Sequence, residues 1–307
     1  MATAHSAGDG SRSHGLLRRY LPILQWLPQY QLAWLRYDVV AGLAVWAVLV
    51  PTSMAYAGIA DVPPLVGLYT VPLPLIAYAI FGTSRTMVIG PDSATALISG
   101  MTVGALVSQG SGDFVALTSA LAMAVGVFFL IFGLLRMGWV ANFIPEPAMK
   151  GFIQGLVWVT VIGQVPKLFG IAGGDGNFFE KLWDIIGKLP EADPATTIVG
   201  LASLTLLFAL KRFHPRIPAA LVAVALAVIA VILFDLDTRG VKIVGSQQAG
   251  LPPFGFPRVS FANLQAILPG ALAIVLIGYA ESLGAAKAAA AKLGGKIDPN
   301  QELVSHG

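Results

Sequence analysis

The amino-acid sequence predicts an all-α polytopic membrane protein. Of its 307 residues, 56% are hydrophobic and only 11% are charged, and the mean hydropathy is +0.76. Soluble domains carry about 25% charged residues, so this chain has too little polar surface for a water-soluble fold. Apolar stretches long enough to cross a bilayer as helices, about 20 residues each, recur along the chain.

The segments before the first span differ in composition from the rest. Residues 1–15 are polar and rich in Gly and Ser, which predicts a disordered cytoplasmic tail. Residues 16–37 mix Arg and Leu with Trp26, Tyr30 and Trp34, and such aromatic residues favour the membrane–water interface. We therefore predict an interfacial amphipathic segment over 16–37, with a soluble amphipathic helix as the alternative.

Eight apolar stretches follow within residues 38–307 and are predicted to be membrane helices. Two of them, the third and the sixth, are short, which is typical of discontinuous helices. The predicted spans are residues 38–59, 65–81, 93–107, 114–137, 149–165, 196–210, 218–233 and 267–293.

The distribution of basic residues predicts the orientation of these spans. With the N-terminus in the cytoplasm, 13 of the 19 Lys and Arg residues lie in loops on the inner side. The sequence "KRFHPR" at 211–216 is the densest of these loops. This excess follows the positive-inside rule, so we expect an inner (plasma) membrane protein with a cytoplasmic N-terminus.

Three of the first spans contain helix-breaking residues. Pro51 is expected to break the first, Pro72 and Pro74 interrupt the second, and the third begins only after Gly90-Pro91. Backbone broken at membrane depth is tolerated where it lines a cavity, and half-helix N-termini in transporters point at anionic substrates. The alternative is simple proline kinking in packed helices.

Two carboxylates lie in or beside apolar stretches. Glu281 falls inside the eighth span, where a charge is costly, so it is a candidate for binding a proton or a cation. The alternative is a purely structural role, in which the carboxylate of Glu281 caps a neighbouring helix end or lies near the inner water boundary. Asp92 or Ser93 is expected to cap the third helix, whose N-terminus suits an anion. Asp92 could cap from the side and leave the amides of Ser93 and Ala94 for that anion. The alternative is that Asp92 is protonated when the anion is bound.

Several classes of function lack their sequence signals. The chain has no Cys, which excludes disulfides, thiolate catalysis and Cys-ligated metals. Its four His residues are scattered through tails and a loop. We find no phosphate-binding loop, metalloprotease motif, nucleophile elbow or dinucleotide fingerprint. We therefore expect no enzyme activity, no cofactor, no metal and no nucleic-acid partner.

Several ordered motifs resemble the SulP family, the sulfate permeases. "VPTSMAYA" at 50–57 is similar to the "VPQSMAYA" pattern of that family, and "PPLVGLY" at 63–69 and "FGTSRTMVIGP" at 81–91 follow in the family's order. "NFIPEPAMKGFIQG" at 142–155 resembles the junction of helices 4 and 5. "ESLGAAKAAAAKLGGKIDPNQEL", which begins at Glu281, resembles helix 8 and its exit. The resemblance covers roughly residues 34–307.

The resemblance implies a fold of two inverted repeats, each of seven helices. A core domain would hold an inorganic anion between the half-helix ends of helices 3 and 10, and a gate domain would move against it. On this alignment the chain stops after helix 8, and its last residues, "NQELVSHG", are read as a loop. We therefore expect a truncated chain without helices 9–14 or a cytoplasmic STAS domain, which would not transport alone.

The resemblance also implies roles for residues that match the family's motifs. Thr52 stands where Gln is common, and Ala285 stands where a sodium-coupled branch carries Thr. Ala285 favours a proton over sodium as the ion coupled at Glu281. The residues expected at the anion site are Pro51, Thr52, Ser53, Tyr56, Gly90, Pro91, Asp92, Ser93 and Ala94.

The expected function is secondary active transport of an inorganic anion across the lipid bilayer. Sulfate is the first candidate, with bicarbonate and dicarboxylates as alternatives, and a homodimer is expected. A nucleobase-type transporter of the same architecture is a competing hypothesis. An inactive truncated membrane fragment is the other.

Overall fold

The computed structural model describes residues 21–108, 113–143, 146–174, 176–214, 217, 219–243, 245, 250, 255–293 and 297–307. The predicted tail and the first residues of the 16–37 segment lie outside these ranges. In the described part of the chain the elements are helical and no β-strand occurs. The α-helices are α1 (Ile23–Trp26), α2 (Leu35–Ile59), α3 (Pro64–Tyr69), α4 (Pro72–Phe81), α5 (Ser93–Val107), α6 (Phe114–Leu134), α7 (Glu146–Phe169), α8 (Phe178–Lys188), α9 (Pro194–Phe213), α10 (Ala219–Phe234), α11 (Phe261–Leu293) and α12 (Pro299–His306).

Each of the eight predicted spans coincides with helical structure. Among the residues that the structure describes, three apolar helical stretches are shorter than a full span: Ser93–Val107, Val157–Phe169 and Ala219–Phe234. Five stretches of the same described residues are long and apolar enough to cross a membrane: Leu32–Ile59, Pro64–Phe81, Phe114–Leu134, Pro194–Phe213 and Phe261–Ala290.

The predicted break at Pro51 is wrong, because α2 runs unbroken from Leu35 to Ile59. Proline removes only one helical hydrogen bond. The hydroxyls of Thr52 and Ser53 donate to backbone carbonyls one turn earlier, at 2.8 and 3.0 Å, and support the helix around it. The helix also packs closely on α3. A β-carbon at Gly67 would lie 2.2 Å from the carbonyl oxygen of Ser53, so only glycine fits there.

The second predicted span is broken, as expected. Its two halves, α3 and α4, are separated by a turn between Tyr69 and Pro72. Pro72 is the first residue of α4, the position where proline is best tolerated in a helix. An extended segment, residues 82–92, then connects α4 to the short helix α5.

The apolar core lies between α5, α6 and α11. Leu117 and Leu121 of α6 pack with Val103 of α5 and Ile267 of α11, and all four are at most 1% exposed. Farther along α6 and α11 a second cluster includes Leu303 of α12. Helices α9 and α10 pack on each other, with α7 and α2 as their other neighbours.

The end of the chain is helical, so the prediction of a loop there is wrong. Residues Pro299–His306 form α12, capped by the side chain of Asp298, which accepts hydrogen bonds from the backbone amides of Asn300 and Gln301. The polar composition of this segment suggested a loop. Its polar side chains are instead buried and bonded, and they hold α12 against α4 and α6.

The strongest of these attachments is the carboxylate of Glu302, which is 1% exposed. Glu302 accepts hydrogen bonds from the hydroxyl of Tyr78 at 2.8 Å and from the amide of Thr83 at 2.9 Å. The hydroxyl of Thr83 and the amide of Ser84 also donate to it. The carboxylate therefore fixes the start of the extended segment that leads from α4 to α5.

A short helix between two of the predicted spans was not predicted either. Helix α8 lies between α7 and α9, and Asn177 and Glu180 close a capping box at its start. The sequence carried that signal, an Asn followed three residues later by Glu before apolar residues. The sequence prediction considered only helices long enough to span a membrane, and α8, with 11 residues, is shorter than that.

Candidate functional site

The N-terminus of α5 is the centre of the candidate site. Asp92 has an extended backbone and caps the helix, as one of the two expected caps. Its Oδ1 accepts from the amide of Ala94 at 2.6 Å, and its Oδ2 accepts from the hydroxyl of Thr95 at 2.7 Å. The carboxylate thus sits to one side of the helix end, bonded to α5 by both oxygens.

This cap decides which amides of the first turn are available. The amide of Ala96 donates to the carbonyl of Asp92 at 3.1 Å. Since Asp92 takes the amide of Ala94, the expectation that Ala94 would donate to an anion does not agree with the structure. The amides of Ser93 and Thr95 donate to no group in the described residues. Two unpaired donors and the positive end of the helix dipole therefore remain.

Helix α2 lies against this helix end. A β-carbon at Gly90 would lie 3.1 Å from Cδ2 of Leu49, so the extended segment approaches α2 closely just before α5 begins. Ser53 is fully buried, and its hydroxyl and that of Thr52 donate to carbonyls of their own helix. Both hydroxyls therefore hold α2 together in this structure.

Tyr56 is the polar side chain of α2 with a free donor near α5. Its ring packs against a buried cluster that joins Ala57 and Ala60 of α2 to Ala96 in the first turn of α5. Its hydroxyl makes no hydrogen bond within the described part of the chain. Tyr56 can therefore donate to a ligand without breaking a bond to the protein.

Helix α11 forms the other side. A β-carbon at Gly278 would lie 3.5 Å from Cγ2 of Thr95, which places that turn of α11 beside the start of α5. Glu281 follows one turn later and is half-buried. It has no hydrogen bond or ion pair with any described residue, and it interacts with the carboxylate of Asp92 as a like charge.

The structure therefore brings three separate predicted elements together: the Pro51–Tyr56 turns of α2, the start of α5 and Glu281. Thr95 belongs with them, because its hydroxyl braces Asp92 and its methyl group faces α11. Its position three residues after Asp92 is the sequence signal for that role. Among the described residues, no group of His, Asp and Glu could hold a metal ion.

A separate cavity of about 440 Å³ lies between α9 and α10. Its walls are mainly apolar, with Ser203 and Arg239 as polar exceptions. It contains none of the predicted site residues. An anion needs several donors converging on it, so the N-terminus of α5 is the better candidate.

A sequence profile described as the Sulfate permease family matches residues 35–307. The chain belongs to the sulfate permease family. A relative in Mycobacterium tuberculosis, named a probable sulfate transporter, is 35% identical over 282 residues. That match covers 91% of this chain and 50% of the relative, so the chain spans about half the length of the relative.

Solved structures of similar proteins share the arrangement of these helices. The murine anion transporter Slc26a9, in an inward-facing state, has a TM-score of 0.86 at 25% identity, covering 99% of this chain and 54% of that chain. The transmembrane domain of the cyanobacterial bicarbonate transporter BicA has a TM-score of 0.79 at 23% identity, covering 90% and 71%.

This sulfate permease family member therefore has the predicted fold class. It is an integral membrane protein that crosses the bilayer several times. Its helices correspond to the first seven-helix repeat and the eighth helix of the 7+7 inverted-repeat fold. In that order, helix 1 is α2, helix 2 is α3 with α4, and helices 3 to 8 are α5, α6, α7, α9, α10 and α11.

Proposed function

We propose that the whole protein transports an inorganic anion across a membrane by secondary active transport, with sulfate as the first candidate. Family membership supports the class of activity, and sulfate is named for the Mycobacterium relative. Bicarbonate, named for the BicA structure, and dicarboxylates are the alternative substrates. All three carry negative oxygens that accept from amides.

One observation carries this proposal: Asp92 caps α5 from the side and leaves the amides of Ser93 and Thr95 unpaired. Two such donors and about half a positive charge at the helix end favour an anion. The site also includes Pro51, Gly90, Pro91 and Ala94, which shape the approach, while Thr52 and Ser53 stiffen α2. Tyr56 supplies a further hydroxyl donor.

The helix starts in this chain differ in a way that bears on the proposal. At α9 and α12, a capping Asp is followed by proline, as Asp193-Pro194 and Asp298-Pro299, so the first helical residue has no amide N–H. At α5 the first residue is Ser93, whose amide remains. Proline at this position would be compatible with the helix, since Asp92 is already extended.

The test follows from that difference. Ser93→Pro removes one free amide and keeps the helix start, whereas Ser93→Ala removes only the hydroxyl and is the matched control. A hydrogen bond to a charged ligand contributes about 1.5–3 kcal/mol, so Ser93→Pro should weaken sulfate affinity by roughly tenfold or more. The measurement is the KM for radiolabelled sulfate uptake by the whole protein in proteoliposomes. An unchanged KM in Ser93→Pro would remove α5 from the site.

We further propose that Glu281 couples transport to protons. A dianion entering beside Asp92 and Glu281 meets like charges, and a proton taken up by Glu281 removes one of them. The lack of a basic partner for Glu281 in the described residues supports this role. Ala285 offers no side-chain oxygen ligand, so sodium is the less favoured ion.

The remaining parts of the proposal are an inner (plasma) membrane location, a cytoplasmic N-terminus and a homodimer. Two alternative hypotheses are a nucleobase-type transporter of the same architecture and an inactive truncated fragment. A competition assay with unlabelled substrates distinguishes them. Excess unlabelled sulfate should abolish the uptake of labelled sulfate while excess uracil leaves it unchanged. Inhibition by uracil would favour a nucleobase transporter. No uptake of sulfate by the whole protein would favour an inactive protein.

A further inference from the structure

Helix α8 belongs to a loop that leaves and returns at one end of two apolar helices. The amide of Asp193, at the start of α9, donates to the carbonyl of Phe169, at the end of α7, at 3.0 Å. Gly170 adopts a positive φ of 70° directly after α7, where its backbone approaches Asp193. The two ends of this loop, at Gly170 and Asp193, therefore meet where α7 ends and α9 begins.

The depth of α8 is set by its packing on α7. Ile185 of α8 is 6% exposed and belongs to a buried cluster with Ile162 of α7 and Ile171. Ile162 lies seven residues before the end of α7, which is about 10 Å along a helix. Lys167 near that end donates to the carbonyl of Gly58, close to the end of α2, at 2.8 Å. Helix α8 thus lies beside the last turns of α7, level with the ends of these apolar helices.

The side chains of α8 divide into three sectors. One sector, with Ile185 and Phe178, packs on α7. A second sector is charged, with an ion pair between Lys188 and Asp184 at 2.8 Å. The third is apolar and follows the i, i+3, i+4, i+7 spacing of one helix face. Its members are exposed by 77%, 36%, 79% and 55%: Phe179, Leu182, Trp183 and Ile186.

We propose that α8 lies in the plane of the membrane interface, with Phe179 and Trp183 inserted into the lipid of that leaflet. Three features favour lipid over water or protein as the partner. The helix lies at the end of apolar membrane helices, its exposed face is apolar opposite a charged one, and it carries Trp, which is enriched at interfaces. Ile198, on the first turns of α9, is 68% exposed and adds apolar surface near the same level.

These 307 residues contain no cysteine, so single-cysteine spin labelling can test the proposal after any cysteine in the rest of the whole protein has been replaced by serine. Phe179→Cys and Trp183→Cys report the apolar sector, and Lys181→Cys reports the polar side of the same helix. Each labelled whole protein is reconstituted into vesicles of phosphatidylcholine and phosphatidylglycerol. Collision rates with oxygen, which concentrates in lipid, and with a water-soluble nickel chelate are then measured by EPR.

The labels at positions 179 and 183 should collide with oxygen several-fold more than the label at 181, and with the nickel chelate several-fold less. Equal nickel accessibility at all three positions would mean that the helix stands in water. Exclusion of both reagents at 179 and 183 would mean that protein covers this face. Either result overturns the proposal, and neither depends on transport activity.

Discussion

Glu281 and Glu302 are carboxylates within 22 residues of each other in sequence, and their surroundings are opposite. Glu302 is buried and accepts from four donors of Tyr78, Thr83 and Ser84. Glu281 is half-buried, has no bonded partner among the described residues and lies near the like charge of Asp92. Hydrogen-bond donors that satisfy a buried carboxylate offset the cost of its burial and fix its position.

The contrast underlies the proposal that Glu302 has a structural role and Glu281 a role in transport. Glu302 ties α12 to α4 and to the start of the extended segment, so its hydrogen bonds contribute to stability. Glu281 stabilises nothing that the structure shows, although a charge at a membrane position is costly. Because no described contact offsets this cost, we propose that Glu281 acts in transport. Replacing one carboxylate at a time distinguishes an acid that stabilises the fold from one that acts in transport.

The largest effect is expected for Glu302→Ala, because it leaves buried hydroxyl and amide donors without an acceptor. We expect a loss of about 3 kcal/mol or more in the free energy of unfolding, and a fall of roughly 10 °C in the Tm. The measurement is thermal unfolding of the detergent-solubilised whole protein. Glu281→Ala is the matched control and should keep the Tm within about 1 °C. Equal Tm values for the two variants would contradict the assignment of a stabilising role to Glu302 and not to Glu281.

An intermediate effect is expected at Asp92, which both caps α5 and lies at the site. Asp92→Ala should lower stability by about 1 kcal/mol, whereas Asp92→Asn should keep it, because Asn caps as well as Asp. Removing the negative charge beside the anion should also tighten sulfate binding in Asp92→Asn, by about 1 kcal/mol or roughly fivefold. Thermal unfolding and the KM for uptake check the two parts.

Weaker sulfate binding in Asp92→Asn would mean that the carboxylate itself helps to hold the substrate. Loss of the pH response of uptake in Asp92→Asn would instead identify Asp92 as a titrating group. The side-capping account predicts neither.

A smaller effect is expected at Asp193, a partly buried cap away from the site. Hydrogen bonds from the side chain and backbone of Thr196 hold the pKa of Asp193 below its usual value of 3.8. A lowered pKa in the folded state stabilises the protein above the unfolded value, and this contribution is lost as pH falls through the folded value. Asp193→Asn retains a cap without that titration.

The Tm of the unmodified protein should therefore fall relative to that of Asp193→Asn when the pH is lowered from about 6 to about 3. A constant difference between the two proteins over this range would show that the Asp193 carboxylate adds no pH-dependent stability. Comparing Tm differences between variants removes the titration of the other carboxylates, which both proteins share.

The membrane helices could be predicted from sequence because length and hydropathy decide them. All eight apolar stretches became helices, and Gly90-Pro91 marked the start of α5 correctly. The break at Pro51 could not be judged from sequence. Whether a proline interrupts a helix depends on tertiary packing, and α2 is supported by close contact with α3 at Gly67.

The polar helix α12 shows why composition alone fails elsewhere. Its segment is short and polar, which is typical of a loop. Contacts with residues distant in sequence explain its burial, and those of Glu302 with Tyr78 and Thr83 span more than 200 positions. The residues of the candidate site could be predicted from sequence, but which of their backbone amides are free to bind an anion could not. Sequence indicated Asp92 as a cap, but the bond from Ala94, which shifts the free amide to Thr95, required coordinates.

The central claim is that the unpaired Glu281 couples anion transport at the start of α5 to protons. It is tested most directly by sulfate uptake into proteoliposomes of the whole protein, with and without an imposed pH gradient, in unmodified protein and in Glu281→Gln. We predict that the gradient accelerates uptake by the unmodified protein, and that Glu281→Gln loses this acceleration while its Tm changes by less than about 1 °C. Full gradient dependence in Glu281→Gln would contradict the assignment.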